Sequence, residues 1–536
     1  MSGFRREASD ILHELDAMRA ADAPTHGGRV LSYVYDSGLA ELDELAAEAA
    51  RRVQPVNGLD PTTFVSVAAM ERGVVGFARR VLGGAPSADT ADTADGAEPA
   101  DGGDVVVGSV TSGGTESCLL AVKSARDAWR AARLGSPRVP RLVAPVTVHA
   151  AFHKAAHYFG LELDLVPVDP STGTLAPAAI EERLGDDVAL VVLSAPSYPF
   201  ASLDPIADVA AITAARGIAL HVDACIGGFA LAFWPGALPA WDLSVPGVTS
   251  LSADLHKYGY APKGASVLLT RGRDRQRHQY FATTGWPGYP VVNPTMTGSK
   301  PAGPLAAAWA IIEALGEPGF AELTAQAARA TAALRATIDG IEGLRVVGSP
   351  TGPLLAVATD EDVPVASRVD PHHWADAARS AGWQLQLQPG LTQPDGTRLP
   401  HTTHLTVTPV TERVVSELTA ALVVAADAVR GIPQIDGAVA LAGLAEALPG
   451  FGGDGGGADG GLGALSSSDA LGSLAAGLDS DTAAAILEAA GLLGGAGALP
   501  DQLAPVLALV EALPGPLTER LLVELLARVV EPPVAV

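Results

Sequence analysis

The sequence predicts an α/β fold built on a largely parallel sheet, followed by a smaller α+β domain. Three observations carry that prediction. Short β-branched runs recur at 105–110, 141–148, 163–168, 188–194, 218–222, 248–252 and 265–270. Helical patterns such as 115–133 and 204–215 fill most of the gaps, and such alternation is what parallel strands joined by helices require. The chemically distinctive residues fall just after strand ends, where open α/β sheets bind their ligands.

In chain order, residues 1–82 read as an N-terminal helical segment, with a Gly/Tyr-containing stretch at Gly27–Gly38 and turns at Asn57-Gly58 and Asp60-Pro61. Residues 83–104 are a Gly/Ala/Asp/Thr tract with a repeated Ala-Asp-Thr. That composition cannot bury a core, so it reads as a disordered acidic loop. Residues 105–320 form the large domain. Residues 300–340 look helical, and 321–431 form the small α+β domain. Its strands are expected at 343–347, 353–358 and 402–408, and its helices near 371–381 and 411–430. Residues 432–536 open with a Gly-rich linker, densest at 449–463, and end in a helical extension. There Leu503, Val506, Leu507 and Val510 show amphipathic spacing. The extension packs on the body, binds a partner or self-associates; packing is the commonest use of such a pattern.

At 536 residues the chain exceeds one simple core. Its 60 acids against 35 bases give a net charge of −25, which repels phosphate backbones and argues against a nucleic-acid partner. Cys118 and Cys225 are its two cysteines, with no metal-type spacing and no disulfide framework. A reducing cytoplasm is the natural setting. The first ten residues are charged and lack an apolar signal core, and no apolar run is long enough to span a bilayer. A soluble protein is expected.

Three motifs carry the chemistry. Val105–Val110 runs into Thr111-Ser112-Gly113-Gly114-Thr115-Glu116-Ser117 and then a helix. Glycines let backbone amides approach an anion, and a helix N-terminus favours negative charge. The turn is not the G-x-x-x-x-G-K-[ST] nucleotide loop, which argues against an ATPase. Next, the apolar run Ile218–Val222 ends in Asp223. This acid either caps the following helix or pairs with a protonated ring nitrogen. Finally, Asp254-Leu255-His256-Lys257-Tyr258-Gly259 sets a lysine after an apolar run. Desolvation there is expected to lower the amine pKa and supply a nucleophile. A phosphate cradle, a buried acid and an amine nucleophile are the working set of a pyridoxal 5'-phosphate (PLP) enzyme.

The chain resembles the group II PLP-dependent decarboxylase family, and within it the sphingosine-1-phosphate lyases. Thr111–Ser117, His149–Gly160, Ser194–Phe200 with Asp204-Pro205-Ile206, His221–Phe229 and Asp254–Gly264 carry the resemblance. Thr297–Pro301 and His404–Thr408 extend it, so that it covers about residues 25–430. It implies a PLP fold-type I (aspartate aminotransferase-like) large domain in a homodimer with sites at the subunit interface. It implies that Lys257 forms the Schiff base, that Asp223 meets the pyridine nitrogen and that His149 stacks on the ring. His149 can also be read as a core or cap histidine. Gly114, Thr115 and His256 are implied to hold the cofactor phosphate, with Gly298 and Ser299 reaching the partner's. Tyr35 (with Tyr33 as the alternative register), Asn57 and Lys263 are implied to handle the substrate, and Tyr198 to act as acid–base. Asp60 stands where the family pattern has a histidine, and a carboxylate there would repel a substrate phosphate.

The expected activity is carbon–carbon cleavage of an amine substrate, a retro-aldol release of an aldehyde and an amine. The alternatives are amino-acid decarboxylation and a non-catalytic PLP-fold scaffold. Fold alone does not choose among them.

Overall fold

A computed structural model describes residues 5–84, 105–439, 478–493 and 500–532. Seven strands form the central sheet: β1 (Val106–Thr111), β2 (Arg141–Pro145), β3 (Glu162–Val166), β4 (Val188–Ser194), β5 (Ala219–Asp223), β6 (Ser250–Ala253) and β7 (Ser266–Arg271). Their order is β1-β7-β6-β5-β4-β2-β3. All seven lie where the β-branched runs predict them. β7 is antiparallel to both its neighbours, β1 and β6, while β2 to β6 pair in parallel. The carboxyl ends of β1 to β6 therefore share one edge. β4 reads Val-Ala-Leu-Val-Val-Leu-Ser and is buried at every position, as expected of a strand covered on both faces.

A helix at Gly303–Asp339 joins the two halves of the chain. It breaks at Gly316 (φ 53°, ψ −177°), just before Pro318, where the missing amide would interrupt the helical ladder. Its first part packs in the large-domain core through Ile311, Phe320 and Leu323. Its last turns pack in a second core through Leu334 and Ile338, with Trp374 and Trp383.

That second core lies on an antiparallel sheet of β10 (Leu344–Val346), β11 (Leu354–Thr359), β15 (Thr402–Thr406) and β12 (Gln386–Gln388). Beside it stands a two-stranded ribbon, β13 (Leu391–Thr392) with β14 (Arg398–Leu399), and β8 (Phe281–Thr283) pairs with β9 (Val291–Asn293). The N-terminal chain threads into the small domain: Leu31 N donates to Gln384 O, and Leu31 O accepts from Thr406 N. This tether delivers Tyr33 and Tyr35 to the sheet edge.

The expected loop over 83–104 and linker at 449–463 fall almost wholly outside the described residues. In the C-terminal part, helices occupy Ser480–Ala489, Ala504–Ala512 and Gly515–Val529. Ala504 is buried in the small-domain core, with Leu503 and Leu507 against it. Packing on the body is thus what this part of the extension does. No helix among the described residues is long and apolar enough to cross a membrane.

Candidate active site

The carboxyl edge of the sheet opens on a cavity of about 950 Å3. Each wall comes from a different element. The β1–helix turn gives Gly113, Gly114 and Thr115; the segment after β2 gives His149; the β4 end gives Tyr198; β5 gives Asp223. The segment after β6 contributes Asp254, His256, Lys257 and Lys263, and the N-terminal chain adds Tyr33 and Tyr35. β12 and the β13–β14 ribbon close the remaining side with Gln386, Gln388, Gly390 and Leu399.

Lys257 Nζ lies 3.0 Å from Asp254 Oδ2, and His256 Nε2 lies 3.5 Å from the same oxygen. Burial by itself would lower the lysine pKa, but Asp254, with Tyr35, Cys225 and Asp223, outweighs it and holds the amine well above its ordinary value. This corrects the sequence expectation of a lowered pKa: a cation beside a buried carboxylate is favoured over a neutral amine. Asp254 was not singled out from sequence. Its i, i+3 spacing from Lys257 was the available signal.

Asp223 accepts from Cys225 N (3.0 Å) and Ser252 Oγ (3.5 Å), both at Oδ1. Burial pushes its pKa up, yet His149, the Cys225 hydrogen bonds and Lys257 together pull it below the ordinary carboxylate value. It is an ionised acid lining the cavity. His149 is both a cap and a cavity wall. Its Nδ1 accepts from Ala151 N at 3.1 Å, which fixes the ring, and burial lowers its pKa while Asp223 opposes that shift.

The phosphate cradle is built by close approach. A Cβ on Gly114 would lie 2.6 Å from Asp254 Oδ2 and 2.9 Å from Cys225 Sγ. One on Gly113, at φ +154°, would meet His256 Cε1 at 3.2 Å. First-turn amides of the helix Gly114–Ala131 lack intrahelical acceptors. His256 Nδ1 is buried without a hydrogen-bond partner, as is Asp254 Oδ1. Glu116, buried in the first turn, accepts from Ser112 N (2.6 Å) and Met296 N (2.7 Å) and so fixes the loop shape.

On the substrate side, Tyr198 stacks on the buried His404 ring at 4.1 Å. Burial raises the phenol pKa of Tyr198, and that of Tyr35 to about 12, so both carry their protons at neutral pH. Lys263 Nζ stands 4.7 Å from the Tyr35 ring centroid and donates to His256 O. Burial, then Lys257, lowers its pKa. Cys118 and Cys225 meet here, within 4.8 Å of each other and of an Asp223 oxygen. Their distance in sequence hid this. The Cys225 thiol is raised by its bond to Cys118 and by burial, and Cys118 mainly by burial, so both are poor thiolate donors to a metal.

Two expected residues lie elsewhere. Asn57 Nδ2 donates to Ser299 Oγ at 3.2 Å, and both face a second cavity of about 1320 Å3 that also holds Asp60 and Tyr289 but not Lys257. Within one chain, then, neither joins the cofactor cavity. Asp60 lines the same second cavity, where it accepts from the hydroxyls and amides of Thr62 and Thr63; these lower its pKa and keep it an ionised carboxylate.

Comparison with known proteins follows this geometry. The profile of the pyridoxal-dependent decarboxylase conserved domain matches residues 69–347, more than half of the chain. The chain belongs to the pyridoxal-dependent decarboxylase family. Among its relatives are the sphingosine-1-phosphate lyase of Dictyostelium discoideum (33% identical, covering 67% of this chain and 64% of that protein) and that of Drosophila melanogaster (32% identical, covering 79% and 72%). The chain thus spans somewhat less than two thirds of the Dictyostelium protein's length. A solved sphingosine-1-phosphate lyase of Burkholderia pseudomallei superposes with a TM-score of 0.70 at 32% identity, over 80% of this chain and 93% of that one. A glutamate decarboxylase of Lactobacillus brevis (TM-score 0.67, 18% identity, covering 81% and 95%) shares the fold. These neighbours make this a PLP fold-type I chain. The profile of the C-terminal HTH domain of a pyridoxal-dependent enzyme matches residues 466–528.

The site of this decarboxylase-family chain fits PLP. It offers a close-packed glycine turn, a buried imidazole nitrogen without a partner, an ionised acid and an amine in one cavity.

Proposed function

We propose that the chain is a PLP-dependent carbon–carbon lyase that cleaves a β-hydroxy amine to an aldehyde and an amine. The carrying observation is the convergence of Lys257, Asp223 and His149 on one cavity whose phenols, Tyr35 and Tyr198, remain protonated. The relatives named for sphingosine-1-phosphate cleavage support the same reading and suggest a phosphorylated long-chain amine as substrate.

The roles follow from the geometry. PLP, when bound, supplies an electron sink for the pair released at the amine-bearing carbon. Gly114, Thr115 and His256 hold its phosphate at the helix N-terminus. Asp223, held ionised, would pair with the protonated ring nitrogen and keep the ring cationic, and His149, locked by Ala151 N, would limit its tilt. Lys257 is the amine that would hold PLP, and its Nζ can carry a proton with Asp254 as counter-ion. Tyr198, a proton-bearing phenol in the cavity, is the acid beside the substrate, and the hydroxyl proton is lost to water. Lys263, beside Tyr35, supplies positive charge for a substrate phosphate.

The active unit is a homodimer in which Asn57 and Ser299 of one chain complete the cavity of the other. Their segregation from Lys257 within a single chain supports this. The compartment is the cytoplasm, where the paired, unoxidised Cys118 and Cys225 are at home.

The test supplies PLP-loaded protein with long- and short-chain β-hydroxy amines, with and without phosphate, and with amino acids. Aldehyde from the β-hydroxy amines is expected. Release of CO2 from amino acids without any aldehyde would replace the lyase reading with decarboxylation. Lys257→Ala should lose the visible cofactor absorbance together with turnover. Wild-type protein that stays colourless with PLP would make the chain a scaffold.

A further inference from the structure

The residues matched by the HTH profile make a poor reader of DNA. Residues 466–528 contain eight acids and two bases. Both bases, Arg520 and Arg528, are paired with Glu524. A surface of that charge repels a phosphate backbone.

What the unit touches is the ribbon beside the substrate cavity. Glu511, in the helix Ala504–Ala512, accepts from Gly390 N at 3.0 Å and from Arg398 Nη2 at 2.5 Å. Its side chain is only 8% exposed. Gly390 lines the catalytic cavity, and Arg398 begins β14, whose next residue, Leu399, lines it too. The ribbon itself has two residue pairs, Leu391 with Leu399 and Thr392 with Arg398. Isolated two-stranded ribbons are marginal in water, so anchors must fix its position. Gln393 provides one, exchanging hydrogen bonds with Val168 N and O at 2.8 Å each. Glu511 provides the other, on the cavity side. The helix is itself pinned, since both oxygens of Asp376 accept from Leu503 N and Ala504 N.

We propose that Glu511 is a positioning residue: it clamps the β13–β14 ribbon from the C-terminal extension and so fixes the wall against which the substrate binds. The extension is then part of the substrate site. This rests on reading the cavity as the substrate site, but the clamp can be observed without turnover.

The experiment compares PLP-loaded, full-length wild type with Glu511→Ala, Glu511→Gln and Arg398→Ala. Amide hydrogen exchange over 388–400 should accelerate about tenfold or more in Glu511→Ala, the scale set by losing a hydrogen bond to a charged group. Exchange over 219–223 and the cofactor absorbance should not change. Glu511→Gln keeps an acceptor for Gly390 N and should fall between wild type and Glu511→Ala. With a long-chain β-hydroxy amine, KM should rise about tenfold while kcat moves less than about twofold, because a wall contact acts in ground and transition states alike. Unchanged exchange over 388–400 overturns the proposal. So does exchange rising equally over 219–223, which would make Glu511 a general stabiliser. If wild type turns over no amine, the lyase reading fails, while ribbon exchange still decides the clamp.

Discussion

Asp254 decides the charge of the lysine on which the site depends. Its side chain is 1% exposed and 3.0 Å from Nζ, so its attraction outweighs a desolvation that would otherwise favour the neutral amine. The sequence made Lys257, Asp223 and His149 legible, because each sits in a motif with its neighbours. It did not make their pairings legible. The Lys257–Asp254 ion pair and the Cys118–Cys225 contact depend on how strand ends face one another. The charge of Lys257 yields a pH prediction. Attack on the PLP aldehyde needs a neutral amine, and the raised pKa keeps wild type protonated, so its reconstitution rate should climb as pH rises into the alkaline range. Asp254→Asn removes the largest opposing influence, burial then dominates, and the pKa drops. The rate profile of the variant should move to lower pH, with faster loading at neutrality, followed by regain of visible absorbance after PLP addition. A profile that overlays wild type, or moves to higher pH, would show that Asp254 does not govern this amine.

At the scale of elements, the seven central strands were readable because each spans four to seven residues and overlaps a short apolar or β-branched run with a helix or turn beyond it. The strands that close the cavity, β12, β13 and β14, were missed. They span three, two and two residues, and Gln386-Leu387-Gln388-Pro389-Gly390 carries no periodicity over so short a length. Only tertiary anchors define them. The β1–helix turn is the opposite case, its glycine pair visible at once and its reason visible only in space. A methyl on Gly114 would press on Asp254 and Cys225, both buried. Gly114→Ala should therefore weaken PLP binding about tenfold to a hundredfold, the cost of about 1–3 kcal/mol for overpacking a filled site. Titration of visible absorbance would measure it, and far-ultraviolet circular dichroism should be unchanged. Affinity equal to wild type would mean that the cradle has slack the distances deny.

At the scale of the molecule, the cofactor cavity lies at the seam between two cores. The large domain supplies the cofactor contacts. The small domain and the N-terminal chain beyond Leu31 supply the remaining walls, and Glu511 holds one of them at Gly390. Asn57 and Ser299 do not fit that scheme in one chain, since they join each other across 242 positions and open on a different cavity. If each completes the partner's site, catalysis needs Lys257 from one subunit and Ser299 from the other. Two inactive variants, Lys257→Ala and Ser299→Ala, can then rescue each other. In a mixed dimer one cavity carries both lesions and the other carries neither. Random reassortment makes half the dimers mixed, so an equimolar mixture unfolded and refolded together should recover about a quarter of the wild-type rate. Aldehyde release from a long-chain β-hydroxy amine measures the recovery, with each variant alone as the baseline. Sites contained within single chains would give no recovery at any ratio, and Ser299 would then serve only to hold the turn that carries Asn57.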